Sequence, residues 1–157
     1  YVTSPIIRHL LESLPRPRRM VLTIQEEVAR RACASPPEMS MLSLSVQVYG
    51  SAEVVAIIPP PAFYPVPKVS SAVLRIEAYD SPLVPYGRLP ILFQVAKVCF
   101  MHRRKMLRNS LAQGLHVPAE AASRILETAG IEPSRRPQTL SLAEWDVLSQ
   151  LVETNRT

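Results

Sequence analysis

The segment Ile57–Glu77, IIPPPAFYPVPKVSSAVLRIE, constrains this chain more than any other. Five prolines (Pro59, Pro60, Pro61, Pro65 and Pro67) fall between two β-type runs, Val54–Ile58 and Val69–Ile76. Proline fixes φ, removes a backbone donor and pushes the preceding residue towards extended geometry. The segment is therefore predicted as a stiff, extended loop that cannot be absorbed into a sheet. It presents one aromatic pair, Phe63-Tyr64, between two anchored strands. A ring held on a stiff loop can stack a planar ligand with little loss of entropy. The plainer alternative is a hairpin whose Phe63 plugs the core beneath the loop. Both readings stand on the residues alone.

The flanking pattern is mixed. Pro5 suits the first helical position, with Ser4 as the expected N-cap, and Ile7, Leu10, Leu11 and Leu14 recur at helical spacing before Pro15 and Pro17. Met20–Ile24 reads as a short buried strand, and residues 25–33 return to helical spacing with Val28, Ala29, Ala32 and Cys33 inward. Over Met41–Tyr49 the apolar residues alternate, which favours a strand, although Leu42, Val46 and Tyr49 also fit a helix face. Asp80–Pro90, with three prolines and a glycine, reads as a linker. Everything beyond it is helical. One inner face carries Leu92, Val95, Ala96 and Cys99, and a second carries Leu107, Leu111 and Leu115, expected to close at Gly114. Pro118 opens a third helix that Gly130 ends, and Ser141 with Glu144 forms a capping box for a fourth, with Leu140 placed to staple onto Trp145. The expected class is α/β: the trailing half of an open sheet over residues 1–84, then a small all-α unit over 85–157.

At 157 residues the chain can bury one medium core or two small ones. Its net charge of +5 leans towards an anionic partner, for which nucleic acid is the commonest candidate. That charge is concentrated where Arg103, Arg104, Lys105 and Arg108 put four cations within six residues. Arg104 and Arg108 are expected to share a helix face, where like charges repel until a polyanion neutralises them. A merely solvated helix end is the alternative. Arg135-Arg136 is a weaker cluster, and Arg136-Pro137 equally suits a structural lock on the loop.

Several classes find no support in these residues. The four glycines belong to no phosphate-cradling turn. His9, His102 and His116 have no metal spacing with one another or with Cys33 and Cys99, and no metal or catalytic nucleophile is expected. The two cysteines read as structural residues of a reducing compartment. No apolar run approaches a membrane span and no signal peptide is visible, so a cytoplasmic protein is expected.

Four stretches then occur in a telling order. They are Thr3-Ser4-Pro5; Gln25-x-Glu27-Val28-Ala29-x-Arg31; Pro59-Pro60-x-Ala62-Phe63-x-Pro65-x-Pro67-Lys68-Val69-x-Ser71-Ala72-Val73; and Arg103-Arg104-Lys105-x-Leu107-Arg108-Asn109. With Arg136-Pro137 and Leu140-Ser141-x-x-Glu144, they resemble the ribosomal RNA adenine dimethyltransferase family along nearly the whole chain. The resemblance implies a Rossmann-like methyltransferase sheet followed by a helical RNA-binding domain. It implies N6,N6-dimethylation of two adjacent adenines in small-subunit rRNA, with S-adenosylmethionine as donor and small-subunit rRNA or the pre-30S particle as partner.

It further implies that Phe63 stacks on the everted target base, which must leave its own stack before its exocyclic nitrogen can be reached. Lys68, Arg103, Arg104, Lys105 and Arg108 then contact RNA, and Met41–Tyr49 is helical. Tyr1 matches the residue that follows the family's catalytic Asn-Leu-Pro-Tyr, so the chain corresponds to the C-terminal portion. That portion is expected to hold no donor and to be inactive alone. Two departures are local: Glu26 stands where a basic residue is usual, and Met39-Ser40-Met41 replaces a Tyr-Gly-Arg segment. They bring the charge-mediated contacts near Gln25 into question. A non-catalytic RNA-binding or ribosome-assembly module is the alternative, and a helix-turn-helix DNA binder built on the basic junction is a third reading.

Overall fold

The proline segment does separate two strands. In the structure, a computed structural model that describes residues 3–155, β2 (Gly50–Ile58) and β3 (Ser71–Ala78) form an antiparallel hairpin. β1 (Arg19–Gln25) joins the other side of β3, also antiparallel, giving the order β1-β3-β2. A bulge between Val54 and Ala56 inserts one residue into β2 without losing the pairing of Ile57 with Ala72. Alternation on β3 puts Ala72, Leu74 and Ile76 on one face, all fully buried, opposite Met20, Leu22 and Ile24 of β1. The other face is charged. Arg19 bonds Glu77 at 2.6 Å and Arg75 bonds Glu53 at 2.7 Å, so ion pairs cross all three strands. These pairs are largely exposed and each adds little stability.

Three helices belong to the same part of the chain. α1 (Thr3–Glu12) buries Ile7 and Leu11, and α2 (Glu26–Ala32) buries Ala29 and Ala32. α1 already includes Thr3 and Ser4, so Ser4 is not its cap. Leu14 is 82% exposed: the helix has ended by Glu12, and the fourth position of the expected apolar face is lost. Residues 41–47 form α3 (Met41–Gln47), as the resemblance implied and against the alternating pattern. The alternation misleads because Leu42, Ser43, Leu44, Ser45 and Val46 are all buried. Serine is small enough to sit inside a helix packed on every side, and the polar–apolar rhythm then carries no information about exposure.

Contacts divide the chain into two units. One holds Tyr1–Ala34 and Leu42–Leu83; the other holds Ser35–Met41 and Val84–Thr157. Among the described residues the α-helices beyond residue 84 are α4 (Leu89–Phe100), α5 (Leu107–Leu115), α6 (Ala119–Thr128) and α7 (Leu142–Thr154), with no strand between them. α4 packs on α7, with the Phe100 and Trp145 rings 5.3 Å apart, and α5 packs on α4 and α6. Gly114 does not end α5. It sits inside the helix, where a Cβ would collide with the Val98 side chain on α4, so glycine is there for close approach. The left-handed residue closing α5 is His116, at φ 56°. Gly130 does take the left-handed position after α6, at φ 73°. The capping box at Ser141 and Glu144 is complete, with both reciprocal bonds formed.

Candidate nucleic-acid interface

In the first unit the candidate surface is the β2–β3 loop. A 3-10 turn at Pro60–Ala62 is closed by amides of Ala62 and Phe63 donating to the carbonyls of Pro59 and Pro60, each at 3.1 Å. At its far end the Ser70 carbonyl accepts the Glu26 amide at 3.0 Å, tying the loop to the start of α2. Phe63 leaves the turn in extended backbone and is half-buried, neither sealed in the core nor free of it. Tyr64 beside it is fully exposed, and Val66, Lys68 and Val69 are exposed as well. Next to the loop's end lies a hollow of about 340 Å³ lined by Gln25, Glu26, Glu27, Arg30, Val69 and Ser70. Glu26, the departure from the family pattern, is paired there with Arg30 at 2.7 Å.

In the second unit the basic residues do not lie as expected. α4 stops at Phe100 and α5 starts at Leu107, so Arg103, Arg104 and Lys105 occupy the turn between them. Arg104 and Arg108 therefore share no helix face, and of the four only Arg108 is helical. The cause is tertiary. The first amides of a helix have no partner within it, and here Leu107 donates to the Arg135 carbonyl at 2.7 Å and Arg108 to the Pro133 carbonyl at 3.2 Å. Those partners fix where α5 begins. The turn surrounds a hollow of about 600 Å³ lined by Phe100, Met101, His102, Arg103, Arg104 and Lys105. Lys105 reaches Gln113 at 3.2 Å. Among the described residues no carboxylate pairs with Arg103, Arg104 or Arg108, and all three are exposed.

The loop lock falls one residue before the one the sequence suggested. Arg135, not Arg136, turns inward. Its guanidinium bonds both carboxylate oxygens of Glu144, at 2.5 and 3.2 Å, and the Thr139 carbonyl at 2.6 Å. The Arg135 bonds hold the Glu144 carboxyl below its ordinary range, against burial and with help from Ser141. One residue thus clamps the start of α7 through its side chain and the start of α5 through its carbonyl. Sequence spacing gives no sign of this, because Arg135 and Arg136 differ only in which one faces Glu144.

Cys99 is fully buried, and that burial pushes its thiol up to about 12; burial also raises Cys33. Neither is an activated nucleophile. Among the described residues no three His, Cys, Asp or Glu side chains group to hold a metal. No helix among them is long and apolar enough to cross a membrane.

The fold is similar to part of two solved methyltransferases. The chain superposes with a TM-score of 0.77 on a dimethyladenosine transferase from Plasmodium falciparum, at 23% identity, covering 99% of this chain and 63% of that one. With the 23S rRNA methyltransferase ErmE the TM-score is 0.70, at 24% identity, covering 97% and 61%. Sequence carries the assignment further. The ribosomal RNA adenine dimethylase family matches residues 1–146, and the chain belongs to that family. It is 39% identical over 155 residues to ribosomal RNA small subunit methyltransferase A of Dehalococcoides mccartyi, covering 99% of this chain and 53% of the relative. The protein of the same name from Desulfitobacterium hafniense is 40% identical over 157 residues, covering 99% and 56%. The chain thus spans about half the length of the curated relatives it matches.

Proposed function

We propose that this chain is the target-recognition portion of a cytoplasmic methyltransferase that dimethylates N6 of two adjacent adenines in small-subunit rRNA, within the pre-30S particle. The observation that carries this reading is the stiff β2–β3 loop, which offers the half-buried Phe63 ring in a chain of the adenine dimethylase family. The exocyclic nitrogen of a stacked, paired adenine is out of reach, so the base must be everted and received. Phe63 supplies the receiving face. Because proline and the 3-10 turn already fix the loop, little order has to be gained when the base arrives. Arg103, Arg104 and Arg108, which have no carboxylate partners among the described residues, supply phosphate contacts, with Lys105 beside them and Lys68 on the loop.

The methyl donor of such a reaction is S-adenosylmethionine.

The test is a salt titration of the 157-residue chain against a fluorescent small-subunit hairpin with two adjacent adenines in its loop. Binding should weaken steeply with salt, and replacing Arg103, Arg104 and Arg108 together by Ala should lower affinity and flatten that dependence. Unchanged affinity would remove the basic turn from the account. Binding that ignores replacement of the loop adenines would favour a non-catalytic assembly module.

A further inference from the structure

Tyr64 is an aromatic side chain of the loop that target capture by Phe63 leaves unused. Its ring is 100% exposed, and among the described residues it meets no hydrogen-bond, ionic or ring partner. A packed tyrosine removes about 150–250 Å² from water, so holding the whole side chain in solvent forgoes a large gain. The loop nevertheless fixes it there, between the 3-10 turn at Pro60–Ala62 and Pro65. Phe63 before it is in extended backbone, φ −116° and ψ 152°, and half-buried, so one ring of the pair is partly covered while the other stands in water. The loop from 59 to 70 has no acidic residue, and its one cation is the exposed Lys68. The acids bordering its end are Glu26 and Glu27, of which Glu26 is paired with Arg30.

We infer that Tyr64 is a second stacking platform, which takes the unpaired nucleotide adjoining the one at Phe63 while Lys68 meets a phosphate of the same strand. The inference rests on the function proposed above. Two adjacent rings on a proline-stiffened loop, one half-buried and one fully exposed, match consecutive nucleotides of a single strand splayed apart around it. Where the two targets are adjacent, the nucleotide at Tyr64 during one transfer is the other target. Stacking on a ring tolerates any base, so Tyr64 sets position along the strand, not base identity. Its hydroxyl has no part.

A double-mutant cycle tests this with the whole chain. Wild type, Tyr64→Ala and Tyr64→Phe are titrated against the hairpin and against the same hairpin with an abasic site beside the target adenine. Tyr64→Ala should weaken binding to the intact hairpin about tenfold and have no further effect on the abasic one. Tyr64→Phe should stay within about twofold of wild type, and the salt slope should not move in either variant, since no phosphate contact is lost. Equal weakening on both hairpins, or none on either, overturns the Tyr64 assignment and leaves Phe63 standing. Failure of the wild type to prefer the hairpin over an unrelated polyanion overturns both. Because Tyr64 meets no hydrogen-bond, ionic or ring partner among the described residues, the far-UV circular dichroism and the hydrogen-exchange protection of the β-strands in the variants should match wild type, which sets misfolding aside.

Discussion

Glu144→Gln should loosen the whole helical unit, although the change removes only a charge. Arg135 meets both carboxylate oxygens of Glu144, and the side chains are 29% and 30% exposed. Charge-assisted hydrogen bonds contribute about 1.5–3 kcal/mol net, and partial exposure to solvent and salt discounts this towards 1–2 kcal/mol, roughly. Glutamine still accepts the Ser141 amide, so the capping box survives. Glu144→Ala loses that bond as well and should cost about 1 kcal/mol more. Urea unfolding followed by the fluorescence of Trp145, the one tryptophan and fully buried, reads the unit directly. The pH dependence has a definite sign. The folded carboxyl titrates below its ordinary value of 4.5, so its contribution is complete above that value and is lost as pH falls through the lower folded one. Glutamine has no proton to gain, and the gap between variant and wild type should close in acid. A variant as stable as wild type at neutral pH, or a gap that persists in acid, refutes the clamp.

Gly114→Ala gains about 1 kcal/mol of helix propensity but drives a methyl into Val98, an overpacking that costs about 1–3 kcal/mol. A net loss of stability is expected in the same unfolding assay, and a gain would refute the close approach of α4 and α5. The triple replacement of Arg103, Arg104 and Arg108 should reduce the log–log salt slope by about 2, which near 0.1 M salt is about a hundredfold in affinity for single-stranded contacts.

How much of this was legible in the sequence depends on whether the signal was local. Proline geometry and strand composition placed the β2–β3 hairpin, and the Ser141–Glu144 spacing placed the start of α7, because each is settled within a few residues. Alternation over 41–49 pointed to a strand, because pattern reading assumes that polar residues mark solvent and Ser43 and Ser45 are buried. The basic cluster was visible as charge, but its shape was not. Whether Arg104 and Arg108 share a helix depends on the carbonyls of Pro133 and Arg135, some 25–30 residues away. Gly114 resembled a helix end for the same reason: Val98, the side chain that requires glycine there, is distant in sequence. The aromatic pair was legible too, but nothing in the sequence distinguishes the half-buried Phe63 from the fully exposed Tyr64.

The most direct measurement is the rate of methyl transfer to the small-subunit hairpin by a protein in which this chain follows the upstream half of a relative, with Phe63→Leu compared against wild type. Leucine fills an apolar socket but offers no ring. If Phe63 receives the everted adenine, the rate should fall about tenfold or more while hairpin affinity through the basic turn persists. A rate within about twofold of wild type would mean that Phe63 only fills space beneath the loop, and the account would fail at its centre.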